Sequence, residues 1–122
     1  MAKFQIKIMK QVILDTDFIV FAAKNGIDIK AELSEVCDFS FEICVLDRTL
    51  DELEGKPSES LAKALIKDFK VIETSRDKPV DELLLELEGI VVVTQDKELK
   101  EKLKKRNIEV ITTRQRKFLR FV

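Results

Sequence analysis

The chain has 122 residues, of which 45% are hydrophobic and 37% charged, and its formal net charge is −1. That length suits one domain with one core, and the apolar fraction gives it enough surface to bury. Histidine is absent, which excludes Ser-His and Cys-His catalysis and the usual zinc ligands. Any chemistry must come from carboxylates, Lys, Arg, Ser or Thr.

The stretch through Gln11 alternates charge with apolar residues and reads as neither signal peptide nor anchor. No apolar run approaches the length of a bilayer span, so the expectation is a soluble, cytoplasmic protein without membrane contact. A first strand, Gln11 to Leu14, runs straight into Asp15-Thr16-Asp17. Helical patterns follow at 17–24, stopped by Asn25-Gly26, and at 28–36. Strand 41–46 leads into a helix over 48–54 stopped by Gly55, and a helix over 58–69 precedes a short strand at Val71-Ile72. A helix over 80–88 is entered through Pro79 and stopped by Gly89. Strand 90–94, a helix over 96–106 stopped by Asn107, and a fifth strand over 108–112 complete the pattern. Asp28, Ser58 and Asp96 are placed to cap helix starts. Cys37 and Cys44 are too far apart for a CxxC motif and read as reduced core thiols.

Alternating strands and helices predict an α/β fold, a three-layer α/β/α sandwich with a central parallel sheet of about five strands. Residues 1–122 then form a single domain with a basic C-terminal tail from about 114. In open α/β sheets the carboxyl edge is where ligands bind. Two strands end on acids there, the first at Asp15 and the fourth through Thr94-Gln95 at Asp96. Glu52 lies one turn into the helix after the second strand, and Asp81, followed by Glu82, lies in the first turn of the helix entered at Pro79. First-turn acids are common as caps. Asp15 differs, because a strand end needs no cap and a buried acid beside Phe18 is costly without a cation. Carboxylate clusters without histidine point to hard divalent metals.

The net charge hides an asymmetry. Residues 97–122 carry ten Lys or Arg against three Glu, a net +7, which leaves −8 on the first 96 residues. A basic end on an acidic body is suited to gripping a polyanion at one edge and holding metal at another. The alternative for 97–106 is an ordinary solvated helix face. In the segment Arg114-Gln115-Arg116-Lys117-Phe118-Leu119-Arg120-Phe121, two Phe interleave with four cations and no acid.

Four motifs in order resemble the PIN-domain ribonucleases: Asp15-Thr16-Asp17, Leu50-Asp51-Glu52-Leu53-Glu54, Val80-Asp81-Glu82-Leu83-Leu84-Leu85, and Val91-Val92-Val93-Thr94-Gln95-Asp96-Lys97. The resemblance covers residues 11 to about 118. The last block is most similar to archaeal single-domain members akin to the small-subunit processome endonuclease. The resemblance implies that Asp15, Glu52, Asp81 and Asp96 hold one or two Mg²⁺ or Mn²⁺ ions and that Thr94 orients the site. The family's first motif usually ends in Asn; Asp17 stands there instead, as a further direct or indirect metal ligand. The third motif often has two Asp, and Glu82 replaces the second, so Asp81 and Glu82 both remain candidates to face the metal.

On this reading the chain is a metal-dependent endoribonuclease of RNA processing or ribosome maturation, with Lys97, Arg114, Arg116 and Lys117 holding phosphates and Phe118 or Phe121 as stacking platforms. Three alternatives stay open. One is a toxin-type PIN ribonuclease with an antitoxin partner. Another is a non-catalytic RNA-binding or scaffold module in ribosome assembly. The third is a HAD-type phosphohydrolase, whose nucleophile motif is also Asp-x-Asp but from which Ile19 and the short chain depart. A homodimer is also left open.

Overall fold

A computed structural model describes residues 9–122. The first eight residues, most of the stretch read as neither signal peptide nor anchor, lie outside the described residues. The elements are β1 (Lys10–Leu14), α1 (Thr16–Asn25), α2 (Ile29–Val36), β2 (Phe41–Leu46), α3 (Asp47–Leu53), α4 (Glu59–Ile66), β3 (Lys70–Ile72), α5 (Val80–Leu84), β4 (Val91–Val93), α6 (Lys97–Lys105), β5 (Glu109–Arg114) and β6 (Phe118–Phe121). They form one sheet in the order β3-β2-β1-β4-β5-β6. The first five strands are mutually parallel, with Ile13 opposite Cys44 on one side and Val92 on the other. Their carboxyl ends therefore share one edge, and β1 is central.

The apolar runs of β1 and β4 are explained by burial on both faces. Val12, Leu14, Val91 and Val93 pack with Phe18 and Ile19 of α1, Leu33 of α2, Leu53 of α3 and Ala62 of α4. Ile13 and Val92 face the other way, onto Val80 and Leu84 of α5 and Leu99 and Leu103 of α6. Each fully buried leucine here, such as Leu103, contributes about 1.5–3 kcal/mol relative to exposure. These are the two helical layers expected on either side of the sheet. Among the described residues no helix is long and apolar enough to cross a membrane. Cys37 and Cys44 are free thiols, and burial pushes both up to about 11.

The structure corrects the sequence reading at four places. A sixth strand exists: residues from Arg114 onward are the end of β5, a turn and β6, which runs antiparallel with Thr113 opposite Leu119. Leu119 is buried and Phe121 meets Phe39 with ring centroids 6.1 Å apart, so apolar burial turns the expected tail into an edge strand. Second, α5 ends at Leu84, and Gly89 at φ +67° serves the turn into β4 and does not stop the helix. Third, Ser58 makes no cap bond and its hydroxyl is buried without a partner, whereas Asp28 and Asp96 do cap. Fourth, α4 stops at Ile66, not Phe69.

Candidate metal and nucleic-acid site

Asp15 follows β1 directly and has the extended backbone of a helix N-cap, yet its side chain makes no cap bond to α1. Its Oδ2 instead accepts a hydrogen bond from the Thr94 hydroxyl at 2.8 Å, across the β1–β4 boundary. The same Thr94 oxygen accepts the Asp96 backbone N–H at 3.1 Å, and Asp96 Oδ1 caps α6 by accepting from the Leu99 N–H at 3.0 Å. Thr94 is fully buried. It thereby fixes Asp15 relative to Asp96 through one hydroxyl.

Asp15 is only 6% exposed. Burial raises its carboxyl to about 6, opposed by the Thr94 hydroxyl and the Thr16 amide and reinforced by the like charges of Asp17 and Asp96. Asp17 and Asp96 therefore act electrostatically on Asp15 at the carboxyl edge. Asp17 is exposed in the first turn of α1.

Glu52 is held by two bonds. Its Oε1 accepts from the Thr16 hydroxyl at 2.7 Å and its Oε2 accepts from the Val80 N–H at 3.0 Å. It thus ties α3 to the starts of α1 and α5 and brings Asp81, the residue after Val80, to the same side of the molecule as Asp15. Asp81 is exposed, with Oδ1 accepting from the Glu82 N–H at 2.9 Å, and Glu82 is exposed as well. Among the described residues no three acids or thiols are already closed around a single point. Asp17 and Asp96 act on Asp15 through charge and Glu52 is bonded to Thr16 beside it, while the Asp81 side chain is bonded only to the Glu82 N–H and not to the other acids.

One residue escaped the sequence reading. Asp47 ends β2 as Asp15 ends β1, and it is buried. Its carboxylate accepts from the Arg48 N–H at 2.7 Å, the Thr74 N–H at 2.9 Å and the Thr74 hydroxyl at 2.5 Å, and Arg76 Nε lies 3.7 Å away. Burial alone would raise its pKa, but the Thr74 hydroxyl and amide, the Arg48 amide and the Arg76 charge outweigh it and hold the group below the usual carboxylate range. Asp47 thereby ties down the 73–79 connection that delivers α5. The signal was available, since Val45-Leu46-Asp47 repeats the strand-into-acid junction of Leu14-Asp15.

The cations sit where the topology sends them. Lys97 follows Asp96 at the start of α6, and Arg114 ends β5 at the same edge as Asp15. Arg116 and Lys117 lie in the turn over 115–117, where Gln115 and Arg116 both take left-handed backbone at φ +52° and +63°. Arg114 lies over the Phe118 ring at 5.6 Å, so this ring carries a cation already. Phe121 packs on Phe39, which removes it as a stacking platform.

A PIN-like domain family profile matches residues 12–116. The chain belongs to the PIN-like domain family. That membership agrees with the resemblance read from the motifs and leaves the HAD-type reading without support. Among its relatives is ribonuclease VapC4 of Methanocaldococcus jannaschii, 34% identical over 125 residues, covering 90% of this chain and 95% of that protein. Ribonuclease VapC9 of Archaeoglobus fulgidus is 32% identical over 108 residues, covering 80% of this chain and 78% of that protein. The solved structure of the PIN domain endonuclease Utp24 superposes with a TM-score of 0.77 at 26% identity, covering 91% of this chain and 90% of that one.

Proposed function

We propose that the chain is a metal-dependent endoribonuclease that hydrolyses phosphodiester bonds of RNA, in RNA processing or ribosome maturation. The observation that carries this reading is Asp15: a buried carboxylate at a strand end, bonded to the Thr94 hydroxyl of the neighbouring strand's end, with the like charges of Asp17 and Asp96 acting on it. Such a group is unfavourable in isolation and becomes favourable beside a cation. All available donors are carboxylate and hydroxyl oxygens, which suits Mg²⁺ or Mn²⁺. Asp15, Asp17 and Asp96 would hold the ion, with Asp81 and Glu52 completing the set. When bound, such an ion supplies Lewis acidity, polarising a phosphoryl oxygen and favouring water as nucleophile near neutral pH.

The chain's own residues do the positioning. Thr94 orients the Asp15 carboxylate, Glu52 keeps the starts of α1 and α5 together, and Lys97, Arg114, Arg116 and Lys117 bind phosphates without reading bases. The names of the two VapC ribonucleases support cleavage of RNA, and that of the Utp24 endonuclease supports cleavage within a strand. The test is cleavage of a single-stranded RNA by purified protein with Mn²⁺, with chelator, and by Asp15→Asn. Equal rates for parent and variant would overturn the assignment of the site, and binding without any cleavage would favour a scaffold role.

The two relatives named VapC favour a second role for the same chemistry, a toxin restrained by an antitoxin. Expression of the chain alone separates the roles. Growth arrest that Asp15→Asn abolishes supports the toxin, and unimpaired growth with active enzyme supports processing.

A further inference from the structure

Some cations are matched by acids, Lys63 with Glu59, Lys78 with Glu86 and Lys102 with Glu98, whereas Lys24, Lys30, Lys56 and Lys67, scattered over the body, are in no ion pair among the described residues. Among the described residues Lys97, Lys100, Lys104 and Arg120 are in no ion pair. Spacings of three and four put the three lysines on one face of α6. Lys100 Nζ reaches the Thr112 hydroxyl at 3.5 Å, and Lys104 Nζ donates to the Val122 carbonyl oxygen at 2.5 Å. Arg120 stands opposite Thr112 across the β5–β6 ladder, and directly paired residues share a sheet face. Arg120 therefore faces the same side as the lysines.

The result is a groove between α6 and the end of β6, lined by Lys97, Lys100, Lys104 and Val122, with Glu101 as the acid among its lining residues. Lysine stems form the walls, with the Lys100 ammonium against the Thr112 hydroxyl and the Lys104 ammonium against the Val122 carbonyl. The groove begins at the acidic edge, because Asp96 caps α6 and Lys97 is the next residue. At 1.5 Å of rise per residue, Lys104 lies about 10 Å farther along the helix than Lys97. A protein partner would want apolar anchors at the centre of its footprint, and Val122 is the one apolar side chain lining this surface.

We propose that this flank is a track for the RNA strand beyond the cleavage point, held through its phosphates by Lys100, Lys104 and Arg120. The proposal rests on the ribonuclease reading for its substrate, but binding tests it separately from cleavage. The probe is a fluorescent single-stranded RNA of sixteen nucleotides, compared with a tetranucleotide, titrated against parent and the triple variant Lys100→Gln/Lys104→Gln/Arg120→Gln in chelator at several salt concentrations. These side chains are on the surface, and a melting curve together with the Mn²⁺-induced thermal shift checks that fold and acidic site are intact. The triple variant should lose roughly tenfold or more in affinity for the long strand and less than about twofold for the tetranucleotide, and its salt slope should be shallower by about 2. Unchanged affinity and slope for the long strand would overturn the track, whether or not the parent cuts RNA, and would leave the groove for a protein partner. Equal losses for both lengths would also overturn it, by placing these cations at the edge site. Failure of the ribonuclease reading would be seen differently, as a parent that binds RNA in the groove but never cleaves it with Mn²⁺.

Discussion

The carboxylate of Glu52 accepts the hydroxyl of Thr16 at 2.7 Å, joining α3 to the residue that follows Asp15. Its other oxygen is taken by the Val80 N–H. As placed, Glu52 is a clamp between two helix starts, and its charge is available to a cation only alongside those bonds. Glu52→Ala should lower stability by about 1–3 kcal/mol, since it leaves the Val80 amide unpaired and the Thr16 hydroxyl with only its 3.5 Å contact to the Thr49 hydroxyl. Glu52→Gln keeps the shape and the bond from Val80 and should cost less than half as much. If the charge also serves a metal, Glu52→Gln will lose RNA cleavage while melting close to the parent. Full cleavage by that variant would confine Glu52 to clamping.

Asp15 makes stability depend on pH in a defined direction. Its folded carboxyl, raised to about 6 from the ordinary 3.8, binds its proton more tightly than in the unfolded chain. The stability this provides is complete below the unfolded pKa and is lost as pH rises through 6, a loss on the order of 2–3 kcal/mol. In chelator, the difference in unfolding free energy between parent and Asp15→Asn should therefore shift against the parent between pH 4 and pH 7. Denaturant melts at both pH values measure it. A difference that does not change with pH would show that Asp15 is not buried as described.

Asp47 carries the opposite sign. Its folded carboxyl lies below the usual range despite burial, because Thr74, Arg48 and Arg76 favour the ionised form. Its stabilisation is present above the unfolded pKa and is lost as pH falls through the folded one. Asp47→Ala should cost about 1–3 kcal/mol at neutral pH by freeing the Thr74 amide and hydroxyl. It should also increase hydrogen exchange in the 73–79 connection. Unchanged exchange there would mean that the connection is held by other contacts.

Much of this architecture was legible because burial on both faces leaves an unmistakable signature. The runs Val12-Ile13-Leu14 and Val91-Val92-Val93 have one explanation in a chain that alternates with helices, and the acids following them mark the edge. The sixth strand was hidden by charge. Leu119 points in and Arg120 out, the alternation of an edge strand, but four cations outweighed the buried Leu119 and the half-buried Phe121 in the composition of the segment. The clamps were invisible for a different reason. Glu52 to Thr16 and Asp47 to Thr74 join residues 36 and 27 positions apart, and only the packed fold determines which acid meets which hydroxyl.

The basic edge yields a prediction that the strand assignment alters. Deleting the chain from Arg114 would remove β6 with its buried Leu119 and the Phe39–Phe121 contact, so loss of function would report misfolding. Replacing Arg114, Arg116 and Lys117 with Gln spares the strand. That variant should melt within a few degrees of the parent and bind single-stranded RNA more weakly, with a salt slope flattened by about 2. An unchanged slope would leave these cations without a phosphate contact.

Asp17 stands where the family's first motif usually has Asn, and its charge helps to raise the Asp15 carboxyl. Removing that charge in Asp17→Asn should lower the Asp15 pKa toward its ordinary value, so less stability is lost as pH rises through 6. The variant should consequently be more stable than the parent at pH 7 in chelator. A cation that binds only the folded state adds stability in proportion to its affinity, and one fewer carboxylate weakens that affinity. The thermal shift produced by Mn²⁺ should therefore be smaller in Asp17→Asn. Melting curves of both proteins with and without Mn²⁺ test the two effects together: a higher midpoint without metal and a narrower shift with it support a role for Asp17 in the site. Equal midpoints and equal shifts would mean that this exposed side chain is directed into solvent and that the departure from Asn is neutral.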